Sequence, residues 1–123
     1  MIEHTLDTQH SILHVHVKSA LQKSDFEQLA EQVDPYIEKV GNLAGLLIEV
    51  PPTFPGWKSF GALASHIRFV RDHQKHIRKI ALVTDSEVGK VAAALGSHLV
   101  SAEIKRFPAS QLEAARRWIS GPA

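Results

Sequence analysis

Gly45-Leu-Leu-Ile-Glu-Val50, Pro51-Pro-Thr-Phe-Pro-Gly-Trp57 and Ser59-Phe-Gly-Ala-Leu-Ala-Ser-His-Ile-Arg-Phe-Val-Arg-Asp-His73 stand almost end to end, and their reading decides the fold class. The first is an apolar run with little alternation, the pattern of a strand covered on both faces of a parallel sheet. The second holds three prolines, a glycine and two large aromatics, and is a stiff turn of low conformational entropy. The third has helical periodicity and predicts a helix from Ser59 to about His73, with Phe60, Leu63, Ala64, Ile67 and Val70 inward.

Working outward, Ile80-Ala-Leu-Val83 is a second unbroken apolar run, and helical patterns precede and follow both runs. That alternation signals βαβ units. Upstream, residues 2–7 and 12–18 alternate apolar and polar, and the short polar link at residues 8–11 predicts an antiparallel hairpin. Leu13, Val15 and Val17 should face the core, with Ile12, His14, His16 and Lys18 on the other side. Ser24 with Glu27 reads as a capping box opening a helix whose stripe is Phe26, Leu29, Ala30, Val33, Ile37 and Val40. The stripe stays in phase across Pro35 up to Gly41, which predicts one kinked helix. Downstream, Asp85-Ser86 should cap a helix carrying Val88, Val91, Ala92 and Leu95. Val100, Ala102 and Ile104 then alternate as an edge strand, and Ser110 with Glu113 opens a last helix bearing Leu112, Ala115, Trp118 and Ile119. The expected architecture is a single α/β domain over residues 1–123, ordered ββαβαβαβα. Its five-stranded mixed sheet starts with the hairpin, continues with parallel strands, and carries about four helices.

Composition narrows the function. The chain has 123 residues, 44% hydrophobic and 22% charged, with a formal net charge of +1. These are the values of an ordinary globular domain with one core. A near-neutral balance argues against coating nucleic acid or an anionic membrane. With no cysteine, disulfides and thiolate chemistry are excluded. The opening Met-Ile-Glu-His-Thr-Leu-Asp7 has neither a basic start nor an apolar run, and the apolar stretches are strand-sized. The expectation is a cytoplasmic protein with no integral membrane association.

Four groups of residues invite a functional reading. Phe54, Trp57 and Phe60 could wall an apolar pocket at a strand's C-terminal end, where open α/β sheets usually bind ligands; equally, Phe54 and Trp57 could cap the core beneath the loop. His66, Phe69 and His73 lie on a second flank of the same helix, which would pack on a neighbour, line a pocket or form a subunit interface. As a general base His66 would need an oriented partner and a nucleophile, and the sequence supplies neither. Arg68, Arg71, His73, Lys75, His76, Arg78 and Lys79 crowd the helix end, where cations complement the helix dipole. His14 and His16 share one side of a strand, with His4 on the neighbouring strand, but spacing by two is weak evidence for the convergent ligands zinc needs. Neither a metal nor a cofactor is expected.

Phe54-Pro-Gly-Trp57, Gly61-Ala-Leu63, His66-Ile-Arg-Phe-Val-Arg-Asp-His73, Ile80-Ala-Leu-Val-Thr-Asp-Ser86 and Glu113-Ala-Ala-Arg-Arg-Trp-Ile119, in this order of elements, resemble the SpoIIAA-like family. These are small bacterial proteins grouped with STAS domains and compared with CRAL-TRIO lipid-transfer domains. The resemblance covers nearly the whole chain and implies a STAS-like sheet with helices packed against it; the family's molecular function is largely uncharacterised. STAS anti-sigma-factor antagonists are phosphorylated on a serine in an Asp-Ser-Ser-Gly type motif, and the matching place here reads Lys58-Ser59-Phe60-Gly61. Ser59 and Gly61 match; Lys58 and Phe60 do not, which favours Ser59 as a helix cap over a phosphosite.

The reading that follows is a non-enzymatic domain without catalytic residues. It would bind a small apolar or amphiphilic, lipid-like ligand in a pocket of Phe54, Pro55, Gly56, Trp57, Phe60, Leu63, His66, Ile67 and Val70. The alternative is a regulatory protein-interaction module working through the start of the second helix, with Ser59 as its candidate phosphosite. An enzyme is the third reading and has no positive sign. Phe69 and the edge strands suggest a homodimer, and no nucleic-acid partner is expected.

Overall fold

In this computed structural model, residues 2–52, 59–85 and 102–121 are described, without the side chains of Phe60, Leu63 and Gln74. The elements are β1 (Ile2–Asp7), β2 (Ile12–Val17), α1 (Lys23–Val40), β3 (Leu43–Val50), α2 (Phe60–His73), β4 (Ile77–Thr84), β5 (Glu103–Phe107) and α3 (Leu112–Ser120), with short 3₁₀ turns at Gln74–His76 and Ala109–Gln111. One five-stranded sheet runs β1-β2-β3-β4-β5. β1 and β2 are antiparallel, whereas β2–β3, β3–β4 and β4–β5 are parallel. Each parallel neighbour needs a crossover; α1 and α2 supply two of them. The helix expected from Asp85-Ser86, with Val88, Val91, Ala92 and Leu95, lies outside the described residues, which hold three α-helices against about four expected. β5 starts at Glu103, later than the alternation suggested; Ala102 just before it is buried, and Val100 lies outside the described residues.

The sheet has a core on each face, which is why β3 reads as unbroken apolar sequence. On one face Leu13, Val15, Val17, Leu46 and Val50 meet Phe26, Leu29 and Val33 of α1 and Phe69 of α2. On the other, Ile12, Leu47, Ala81, Val83 and Phe107 meet Ala115 and Ile119 of α3. Ile12 therefore points away from Leu13 and Val15, as the alternation predicts, yet it is buried under α3.

Gly45 lets α3 settle on the sheet, since a Cβ there would run into the Ile119 side chain. An Ala normally helps a strand relative to Gly, so the sign of Gly45→Ala is diagnostic. It is expected to destabilise by about 1–3 kcal/mol through overpacking, and Ile119→Ala in the same chain should absorb part of that loss. Chemical denaturation of the single and double variants reads both effects, and an unchanged or raised midpoint for Gly45→Ala would contradict the seating of Ile119.

The hairpin turn is held by Asp7, whose Oδ1 accepts the N–H groups of Gln9 and His10 at 3.1 Å each. His10 Nδ1 lies 2.9 Å from Asp7 Oδ2. The His10 side-chain hydrogen bond, followed by its backbone one, holds the Asp7 carboxyl below the usual carboxylate range. Ser11, in the left-handed region at φ 59°, joins three elements. Its Oγ accepts from Tyr36 Oη at 3.0 Å, and its carbonyl accepts from Ala44 N at 2.8 Å.

Local boundaries differ from the sequence reading in three places. α1 runs unbroken through Pro35 to Gly41, but its reciprocal cap is Gln22 with Asp25, not Ser24 with Glu27: the Asp25 carboxylate accepts the Gln22 N–H at 2.8 Å. Burial of Asp25 explains the choice, because a buried carboxylate must find donors. The second box, Ser110 with Glu113, is also absent, since Ser110 sits in a 3₁₀ turn before α3 and no side chain caps that helix.

The third difference matters most. α2 buries Ala62, Ser65, Phe69 and His73, while Ala64 and Ile67 face solvent, Ile67 at 62% exposure. The face read from the sequence as an outer flank is the inner one. Phe26 of α1 is the cause: His66 stacks on it at 4.8 Å, and the Phe69 ring lies 6.2 Å away. Burying two rings against a third removes more surface than burying Ala64 and Ile67.

Candidate functional site

The N-terminal ends of α1 and α2 lie side by side. The Ser59 hydroxyl accepts the Ala62 N–H at 3.1 Å, so Ser59 caps α2 as its sequence position suggests. Between the two helix starts is an open polar groove of about 400 Å³ lined by Gln22, Lys23, Ser24, Glu27 and Ser59. From this groove the outward face of α2 continues through Gly61, Ala64, Ile67, Arg68 and Arg71, all exposed. Arg71 Nε donates to the adjacent Asp72 at 3.2 Å.

The inward face carries His66 and His73. His66 is packed against Phe26, and burial pushes its imidazole from the ordinary 6.5 down to about 4, so the ring is neutral. One helical turn beyond Phe69, His73 is 8% exposed and stacks on that ring at 4.1 Å. Its nitrogens contact the Phe69 carbonyl and Asp34 of α1. His73 is thus part of the packing, apart from the exposed basic residues Arg68, Arg71, Lys75, His76 and Arg78 with which the sequence grouped it. Lys79 leaves that group too: it is buried, donates to the Trp118 carbonyl at 2.8 Å, and lies 5.2 Å over the Trp118 ring.

Of the residues expected to form one pocket, His66, Ile67 and Val70 are the ones whose side chains are described. Phe54, Pro55, Gly56 and Trp57 lie outside the described residues, and of Phe60 and Leu63 only the helical backbone is described. His66 and Val70 are half-buried, whereas Ile67 faces solvent. Phe69, expected to offer surface for self-association, is buried.

On the opposite sheet face, register brings His14 and His16 to Glu49 of β3, whose Oε2 lies 2.6 Å from His14 Nε2 and 3.9 Å from His16 Nδ1. Sequence reasoning missed Glu49, because only strand pairing sets Glu49 opposite His16. His4 does not join them: it pairs with Val15 and so faces the α1 side of the sheet. Among the described residues no group of three His, Cys, Asp or Glu is arranged to hold a metal ion. Nor is any described helix long and apolar enough to cross a membrane.

A mixed five-stranded sheet opened by a hairpin, with helices on both faces, defines a small α/β domain of SpoIIAA-like fold. The chain belongs to the SpoIIAA-like family, whose model matches residues 12–120. It is similar to a solved structure from Shewanella loihica PV-4, described as an uncharacterized protein from the DUF3478 family with a SpoIIAA-like fold. The TM-score is 0.77 at 18% sequence identity, over 96% of this chain and 93% of that one. No curated protein matches the chain.

Proposed function

We propose that this domain is a non-enzymatic interaction module that docks a protein partner on the outward face of α2, beside the Ser59 groove. The observation that carries the reading is Ile67, a large apolar side chain at 62% exposure next to Arg68 and Arg71. An exposed apolar residue beside two arginines, one of them paired with Asp72, fits a partner offering an apolar contact with acidic neighbours. The cap at Ser59 leaves its hydroxyl oxygen at the groove's edge, where an added phosphate would alter the same surface. The setting in this reading is the bacterial cytoplasm.

The test is affinity capture from host extract with three baits: wild type, Ile67→Glu and Val40→Glu. Val40, 54% exposed near the C-terminal end of α1, is a matched apolar control. A protein held by wild type and Val40→Glu but weakened tenfold or more by Ile67→Glu supports the reading, a change of about 1.4 kcal/mol. Equal capture by all three baits would overturn it.

A second reading rests on the same exposed Ile67: its apolar surface could be covered by a small amphiphilic ligand held with the turn at residues 54–57. Native mass spectrometry of the purified protein separates the two. A co-purifying lipid or acid lost in Trp57→Ala favours the ligand, and the same spectrum reports whether a second copy is bound.

A further inference from the structure

β1 closes one side of the sheet and, among the described residues, pairs with β2 alone. In an antiparallel strand alternate residues turn their N–H and C=O groups away from the partner, so the outer side of β1 carries a row of open donors and acceptors. Folds blunt such an edge with lysine, proline or a bulge. Ile2-Glu-His-Thr-Leu-Asp7 has neither residue, and its register against β2 runs unbroken over all six positions, so it holds no bulge. Its two faces are unlike. Ile2 and Leu6 pack into the core that α1 covers, with His4 between them on the same face, whereas Glu3 and Thr5 are exposed on the other. We propose that β1 pairs antiparallel with β1 of a second copy of this chain, about a twofold axis at His4, joining the two five-stranded sheets edge to edge.

The side chains choose the register. A twofold axis normal to the sheet keeps each face continuous, so residues that stand opposite belong to the same face. Centred on His4, the ladder sets Ile2 against Leu6 of the copy on the α1 face and Glu3 against Thr5 of the copy on the other, each pair occurring twice. Apolar meets apolar, and each carboxylate meets a hydroxyl. Centred on Glu3, the ladder would set the two Glu3 carboxylates against each other; centred on Thr5, it would set Glu3 against Asp7. Like charges directly opposite destabilise a strand pair, which leaves the His4 register. The two His4 rings then stand opposite at the axis. His4 Nδ1 is buried with no hydrogen-bond partner among the described residues, so it has no such bond to lose when the ring turns toward its mate. The other edge strand, β5, carries Lys105 and Arg106, the kind of charge that guards an edge. No residue of α2 takes part, so this contact stands apart from the docking face beside Ser59.

Sedimentation velocity of the full chain over roughly 1–500 μM reads the monomer–dimer equilibrium. A dissociation constant on the order of 10 μM is expected, weak because a six-residue edge buries less than a standard interface. Thr5→Glu sets a carboxylate against Glu3 at both ends of the ladder and should weaken the dimer roughly tenfold. Glu3→Lys added to Thr5→Glu turns each repulsive pair into an attractive one and should restore the wild-type affinity. Both positions are exposed, and Glu3 lies 4.0 Å from Lys18 in a contact worth little, so the variants are expected to keep the fold. Amide hydrogen exchange needs no variant: the β1 amides that point away from β2 should slow as concentration rises through the dimer range. A wild-type chain that stays monomeric over the whole range would overturn the proposal and leave the edge to a strand of another protein. A dimer indifferent to Thr5→Glu, or one lost in Ile67→Glu, would place the contact elsewhere and overturn it as well. So would a double variant that stays monomeric while its thermal unfolding matches that of the wild type.

Discussion

Acidification from neutral pH to about pH 4 is expected to remove on the order of 3 kcal/mol of stability through His66 alone. In the folded chain burial holds this ring down to about 4, against the ordinary 6.5 of an unfolded histidine. Between those values the unfolded chain binds a proton that the folded one refuses, so stability rises with pH across the window. The contribution is complete above about 6.5 and is lost as pH falls toward 4. Domains of this size hold about 5–15 kcal/mol in all, so the loss is a large share. Urea unfolding at a series of pH values checks it, with His66→Phe as the comparison because a ring there keeps the stack on Phe26. The wild-type midpoint should fall through the window and the variant's should stay nearly level. Parallel curves would show that the His66 environment is wetter than its packing indicates.

Phe26→Ala should be the most damaging single truncation on the face of the sheet covered by α1 and α2, costing roughly 3–5 kcal/mol. Phe26 is buried and is the ring on which His66 stacks and against which Phe69 is tilted, so its removal empties the centre of the α1–α2 contact. Two further signs would mark the mechanism. Because the residues touch, Phe26→Ala and Phe69→Ala should be non-additive by at least about 0.5 kcal/mol. Opening the site to water should also return the His66 ring toward its ordinary behaviour, so the acid sensitivity described above should shrink in Phe26→Ala. A loss under about 1 kcal/mol would mean that the neighbouring side chains collapse into the space.

These expectations rest on a helix orientation that the sequence did not reveal. In α2 the stripe Phe60, Leu63, Ala64, Ile67 and Val70 competes with the neighbouring stripe Ala62, Ser65, Phe69 and His73, and both have helical spacing. Periodicity says that one face is buried; it does not say which of two overlapping apolar faces wins. The same limit explains the caps. Ser24 with Glu27 and Ser110 with Glu113 have the right spacing, yet the Gln22–Asp25 pair starts α1 two residues earlier and no side chain caps α3.

What the sequence by itself determined is the element order and the sheet. Two unbroken apolar runs in β3 and β4 need cover on both faces, and two alternating runs joined by a short polar link make a hairpin. Those are local patterns whose period is set by backbone geometry. The tertiary structure alone decided the pairings between distant residues: His14 with Glu49, His73 with Asp34, His66 with Phe26, and the outward turn of Ile67. The reason is physical. A side chain's partner across 35 or 39 positions depends on strand register and on how one helix rolls against another. That roll is settled by which aromatic rings can be buried together, a sum over contacts that no single stretch of the chain contains.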